Sequence, residues 1–149
     1  MAVMSVSKFE HFFRRAASLD VDKEDLRRYS DFVNHKIYDL LLRGQAVAKM
    51  NDRDVILPMD LPITKGLQES IHDYQDIDEG IQLTDILEHL TKLPLLNLGY
   101  SDDTRAELPR IAGGLSVALA RTFKIMEPTL KNPATEHWEK AFRVFDQIL

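Results

Sequence analysis

The chain has 149 residues, 44% of them hydrophobic and none of them cysteine. That apolar content is enough for a sizeable core in one compact unit or two intimately packed halves, and it argues against disorder. Without cysteine there is no disulfide framework and no thiolate site for zinc or an iron–sulfur cluster, which fits a reducing compartment. The net charge is −5, from 19 Lys+Arg against 24 Asp+Glu, so the surface as a whole repels phosphates and anionic lipid, and any nucleic-acid site must be a local basic patch. Split after residue 77, 11 bases face 13 acids before the cut and 8 face 11 after it, so neither half is a basic tail.

Met1 to Val6 is too short and too polar beyond Val6 to form the apolar core of a signal peptide. No apolar run approaches the roughly 20 residues that span a bilayer, so a cytoplasmic protein with no membrane partner is expected. Ser7-Lys8-Phe9-Glu10 has the form of a capping box, and Phe9, Phe12, Phe13 and Ala16 follow at helical spacing. A short helix is expected over roughly residues 8 to 18. Asp22-Lys23-Glu24-Asp25 places carboxylates where the positive end of a helix dipole would favour them. From there Leu26, Tyr29, Val33, Ile37, Leu40, Leu41, Val47 and Ala48 recur at three- and four-residue steps, predicting a long helix that ends near Met50.

Asn51 to Asp54 is turn chemistry, and Val55-Ile56-Leu57 is a brief β-favouring run stopped by Pro58. Pro58 and Pro62 are tolerable only near a helix start, which predicts a third helix from about Pro58 to Tyr74. Asp76 to Gly80 reads as a joint, giving a first half of residues 1–77 and a second of residues 78–149 within one compact unit.

The order then recurs. A short helix is expected from Leu83 to Leu93, followed by a loop from Pro94 to Tyr100. Ser101-Asp102-Asp103 opens a second long helix whose stripe is Leu108, Ile111, Leu115, Leu119, Thr122 and Met126, with Pro109 either kinking it or marking its start. Glu127-Pro128 ends it. Asn132-Pro133 offers an N-cap with proline at the first helical position, and Trp138, Phe142, Phe145 and Leu149 lie on a final helix. Short, long, short is thus written twice. Each long helix is amphipathic and must bury its stripe against a partner, which the other half supplies.

The segment Arg53-Asp54-Val55-Ile56-Leu57-Pro58-Met59-Asp60-Leu61 resembles the second loop and third helix of the histone fold, with Arg53 and Asp60 seven residues apart and Val21 lying 32 residues before Arg53. The chain is similar to the single-chain bacterial histone-like doublets, which are related to archaeal histones. The resemblance implies an all-α fold of two histone-fold halves joined as an intramolecular pseudodimer, and it casts Arg53 and Asp60 as a loop-to-helix clamp. It rests on residues in the first half and on helix order alone in the second. Two positions depart from the pattern: Asp20 and Val55 stand where histones commonly carry a first-loop arginine and a threonine. A carboxylate facing the minor groove repels DNA.

By the same resemblance, the basic groups expected to contact duplex DNA are Arg14 and Arg15, then Lys23, Arg27 and Arg28, then Lys49 and Arg53, joined with Lys131 into one phosphate-binding edge. The competing reading for each is a solvated helix face, with Glu24 and Asp31 answering Arg27 and Arg28. His11, His35, His72, His89 and His137 are scattered singly, so neither a metal nor a cofactor is expected. Gly113-Gly114 lacks the lysine and preceding strand of a phosphate cradle and is expected to serve close helix packing. Asp102 and Asp103 have no nucleophile beside them, so the chain is not expected to be an enzyme.

Two functions are expected, the first preferred and the second its alternative. One is a histone-like, nucleoid-associated protein that grips double-stranded DNA without sequence preference; the other is a histone-fold module that binds another protein or itself. A ligand-binding bundle is a third, weaker reading, whose first sign would be a deep polar pocket.

Overall fold

The computed structural model describes residues 4–77 and 80–149. In chain order these form α1 (Val6–Ala17), α2 (Lys23–Met50), β1 (Val55–Ile56), a single 3-10 turn (Pro58–Asp60), α3 (Lys65–Ile77), α4 (Leu83–Leu90), β2 (Gly99–Tyr100), α5 (Asp102–Met126) and α6 (Thr135–Ile148). The described residues are therefore mostly helical, with two two-residue strands among them. The short-long-short order appears twice.

Several helix ends differ from expectation, each for a local reason. Ser5, not Ser7, caps α1: its backbone is extended and its hydroxyl accepts from Lys8 N–H. Asp22 caps α2 as expected, in a reciprocal box with Asp25. The helix expected from Pro58 is split, because the Asp60 carboxylate is turned onto Arg53 and Leu57 N–H, and Leu61 is extended ahead of Pro62. The chain re-enters a helix only once Thr64 Oγ1 accepts from Leu67 N–H. α4 stops at Leu90 rather than Leu93, and α5, capped by Ser101, runs through Pro109. α6 is capped at Ala134, not Asn132, with His137 Nδ1 accepting from Ala134 N–H in place of a cap side chain. Of the expected joint, Asp78 and Glu79 lie outside the described residues, and Gly80 takes a positive φ of 71°.

Both long stripes are buried on each other and on the short helices. Leu26, Tyr29, Val33, Ile37, Leu40 and Leu41 of α2 and Leu108, Ile111, Leu115 and Leu119 of α5 belong to one continuous core. Where the long helices meet, Tyr29 and Ser116 share a buried hydroxyl–hydroxyl bond of 2.6 Å, and burial pushes the Tyr29 phenol well above its ordinary pKa. The terminal helices exchange partners. α3 of the first half makes its most extensive packing on α5. α6 lies against α2, with Phe142 stacked on Phe32 at 4.9 Å and Lys36 paired to Asp146 at 2.6 Å. Trp138 closes the centre between Phe13 and Phe123.

The loops also pair across the halves. β1 of the first half lies parallel to β2 of the second, Val55 opposite Gly99 and Ile56 opposite Tyr100. Thr104 Oγ1 and Ser101 N–H both donate to Ile56 C=O there. At the other end of α2, Asp20 N–H donates to Lys131 C=O at 2.7 Å.

Gly113 and Gly114 serve close packing, as expected. A Cβ on Gly113 would stand 2.3 Å from the Tyr74 ring, and one on Gly114 would stand 2.9 Å from Ile71 backbone N. Gly114→Ala is therefore expected to destabilise the protein by about 1–3 kcal/mol in urea unfolding, because the clash with backbone outweighs the gain in helix propensity. Gly66, with nothing within 4 Å of its Cβ position, provides the control: Gly66→Ala is expected to stabilise by up to about 1 kcal/mol.

Candidate functional site

Arg53 and Asp60 form a forked pair, Nη1 to Oδ2 at 2.5 Å and Nη2 to Oδ1 at 2.6 Å. Asp60 is 2% exposed and also accepts from Leu57 N–H at 2.8 Å. The pair closes the loop between α2 and the 3-10 turn and so holds β1 in register with β2. The Arg53 bond, assisted by Leu57 N–H, keeps the Asp60 carboxyl below its usual range against the opposing effect of burial.

The basic groups singled out from the sequence divide into two kinds. Four are engaged within the chain: Arg14 with Asp20 at 3.5 Å, Arg15 with Asp76 C=O at 3.0 Å, Arg28 with Asp25 at 3.5 Å and Thr135 Oγ1 at 2.8 Å, and Arg53 with Asp60. The other four, Lys23, Arg27, Lys49 and Lys131, have no ion pair among the described residues and are exposed. Arg27 is thus not answered by Glu24 or Asp31; Asp31 instead faces His89 Nε2 at 3.7 Å.

These groups lie at both ends of α2. Lys23 opens α2 and Lys49 is its penultimate residue, roughly 40 Å apart along the axis at 1.5 Å per residue. Lys131 lies at the Lys23 end, beside Asp20. The Lys49 end is shared with Arg105, whose guanidinium sits 5.8 Å from the Tyr100 ring centre.

Two histidines do more than fill space. His137 caps α6 and meets Glu127 through Nε2 at 2.9 Å, so it ties the end of α5 to the start of α6. His89 is mostly buried, with Nδ1 lacking a partner, and burial lowers its pKa despite Asp31. Among the described residues no group of three or more His, Asp or Glu side chains is arranged to hold a metal. No described helix is long and apolar enough to cross a membrane.

An apolar groove lies between α2, α4 and the loop before β2. Tyr38, Leu87, Leu90, Pro94, Leu95 and Tyr100 line a space of about 220 Å³. Tyr38 hydroxyl donates to Pro94 C=O at 2.8 Å, pinning that loop, while Leu95 stands 91% exposed at its rim. The sequence offers no periodic signal for this groove, because half of it comes from an irregular loop.

Residues 9–146 match the family described as Domain of unknown function (DUF1931). The chain belongs to that family. Its fold is close to that of a Thermus thermophilus protein known from a crystal structure, with a TM-score of 0.94 at 50% identity over 99% of both chains. A crystal structure of an Aquifex aeolicus protein superposes with a TM-score of 0.81 at 26% identity, over 96% of this chain and 94% of that one. An uncharacterized protein of Aquifex aeolicus (strain VF5) is 28% identical over 141 residues, 95% of this chain and 82% of its own length.

Two acid-sensitive contributions are expected in this DUF1931 member. His89 resists protonation when folded, so its stabilising contribution is present above its ordinary pKa of 6.5 and is lost as pH falls below that value. Asp60, lowered from 3.8, contributes above that value and loses its contribution as pH falls through the lower native one. Urea midpoints against pH check both: His89→Gln is expected to flatten the fall between about pH 7 and 5. Asp60→Ala is expected to cost about 2 kcal/mol at neutral pH and to flatten the fall at the acid end.

Proposed function

We propose that each half is a histone fold, that the two clasp as an intramolecular pseudodimer, and that the molecule works as a protein-interaction module rather than as a wrapper of DNA. The pseudodimer reading is supported by the doubled short-long-short order, by the two cross-half loop pairings, and by the Arg53–Asp60 fork at the histone clamp spacing.

The observation that carries the interaction role is the apolar groove with Leu95 at its rim. Exposed apolar surface in a recess is characteristic of surfaces that receive another chain. The charges point the same way. Arg14 is answered by Asp20, the residue standing where histones commonly carry a groove-reaching arginine, and Arg28 is spent on Asp25 and Thr135.

Duplex DNA is the second reading, favoured by the unpaired Lys23, Arg27 and Lys131 at one end of α2 and Lys49 at the other. Their separation of roughly 40 Å is near the rise of one duplex turn, about 34–36 Å. On a chain of net charge −5, such binding would be weak and steeply salt-dependent.

Two measurements separate the readings. A mobility-shift titration with random-sequence duplex in low salt is expected to show no shift at about 10 µM protein; a shift abolished by Arg27→Glu and Lys49→Glu would move the function to DNA. A photo-crosslinking residue at position 95, used in native extract, is expected to give a discrete protein adduct that Tyr38→Asp removes. An adduct of twice the chain mass would assign the groove to a second copy. No adduct, together with a DNA shift, would overturn the proposal.

A further inference from the structure

A second recess lies at the Lys23 end of α2, against α4. It encloses about 410 Å³ and is lined by Lys23, Arg27, Asp31 and Leu26 of α2, by His89 of α4 and by Lys92 in the turn after it. Its charge is opposite to that of the chain. Among the described residues, three cations face it at neutral pH against one carboxylate, in a protein whose net charge is −5.

None of Lys23, Arg27 and Lys92 makes an ion pair among the described residues, although acids are abundant elsewhere on the surface. Three like charges gathered on one concavity repel each other, and a bound anion relieves that repulsion. Among the described residues Asp31 is the one acid that lines the recess. It is turned toward His89 Nε2, 3.7 Å away, rather than forking onto Arg27. Arg27 is therefore left with its fork of donors free for the geometry that suits a phosphate.

The volume falls in the range of small-molecule sites, about 300–1,000 Å³, and Leu26 with the His89 ring supplies a less polar wall beside the cations. Three cationic side chains offer a diphosphate, which carries more charge and more oxygens than a single phosphate, more partners at once.

We propose that this recess between α2 and α4 is a binding site for a small diphosphate-bearing molecule, gripped by Lys23, Arg27 and Lys92. None of these three side chains is packed in the core, so removing them leaves the fold intact. The recess shares no lining residue with the apolar groove and requires no protein partner.

Titration calorimetry of the full chain with pyrophosphate tests it, with ADP and inorganic phosphate as comparisons and a short random duplex as the rival anion. At about 50 mM salt, pyrophosphate and ADP are expected to bind with sub-millimolar Kd and inorganic phosphate about tenfold more weakly. The double variant Arg27→Ala/Lys92→Ala is expected to weaken pyrophosphate at least about tenfold, while Lys49→Ala at the far end of α2 leaves it unchanged. Circular dichroism of each variant confirms the fold. Absence of binding heat, or equal binding by the folded double variant, would overturn the site. Tighter binding of the duplex than of pyrophosphate, lost in the same double variant, would overturn it too and assign these cations to nucleic acid.

Discussion

Neither long helix can stay dry alone, and the rest of the molecule follows from that constraint. α2 and α5 each carry an apolar stripe wider than their own short helices cover, so the stable arrangement crosses them and lets each half shield the other. The crossing tolerates the buried polar contact of Tyr29 with Ser116, because the Tyr29 hydroxyl donates to Ser116 Oγ, which donates in turn to Ala112 C=O. Gly113 and Gly114 let α3 approach α5 closely enough that Tyr74 and Ile71 occupy the space a Cβ would take. α6 repeats this exchange in the other direction through Phe32, Phe142 and Phe145.

Crossing the long helices also decides where the loops go. The loop after α2 is brought beside the loop before α5, where β1 and β2 pair, and the loop before α2 is brought beside the loop after α5. The Arg53–Asp60 fork gives the first of these junctions a fixed shape. It removes Arg53 from service as a free cation. The surface left over includes an apolar groove around Leu95 and a cationic recess around Arg27, on a chain whose net charge is −5.

Much of this is legible in the sequence because it depends on local chemistry. The stripes of α2 and α5 follow helical spacing over many residues, Asp22 announces a helix start, and the seven-residue step from Arg53 to Asp60 marks the clamp. The lack of any phosphate-cradle neighbours marks the glycine pair as a packing site. What is not legible depends on partners far along the chain. Gly99-Tyr100 becomes a strand only because Val55-Ile56 lies beside it. The cap at Ala134 has no side-chain acceptor of its own and is built from His137. Lys92 and His89 meet Lys23 and Arg27 only through the docking of α4 on α2, and no spacing rule brings them together. Likewise the split before α3 arises because Asp60 is drawn onto Arg53, a pairing that outweighs the helix-starting tendency of Pro58.

The fold stands on mutual shielding of the two halves. Producing residues 1–77 and residues 78–149 as separate chains tests it most directly, with helix content followed by far-UV circular dichroism and the burial of Trp138 by its fluorescence. Neither piece should be a folded monomer, and mixing them in equal amounts should restore the helical signal and the buried tryptophan emission of the intact protein. Two pieces that each fold as stable monomers and fail to combine would contradict it.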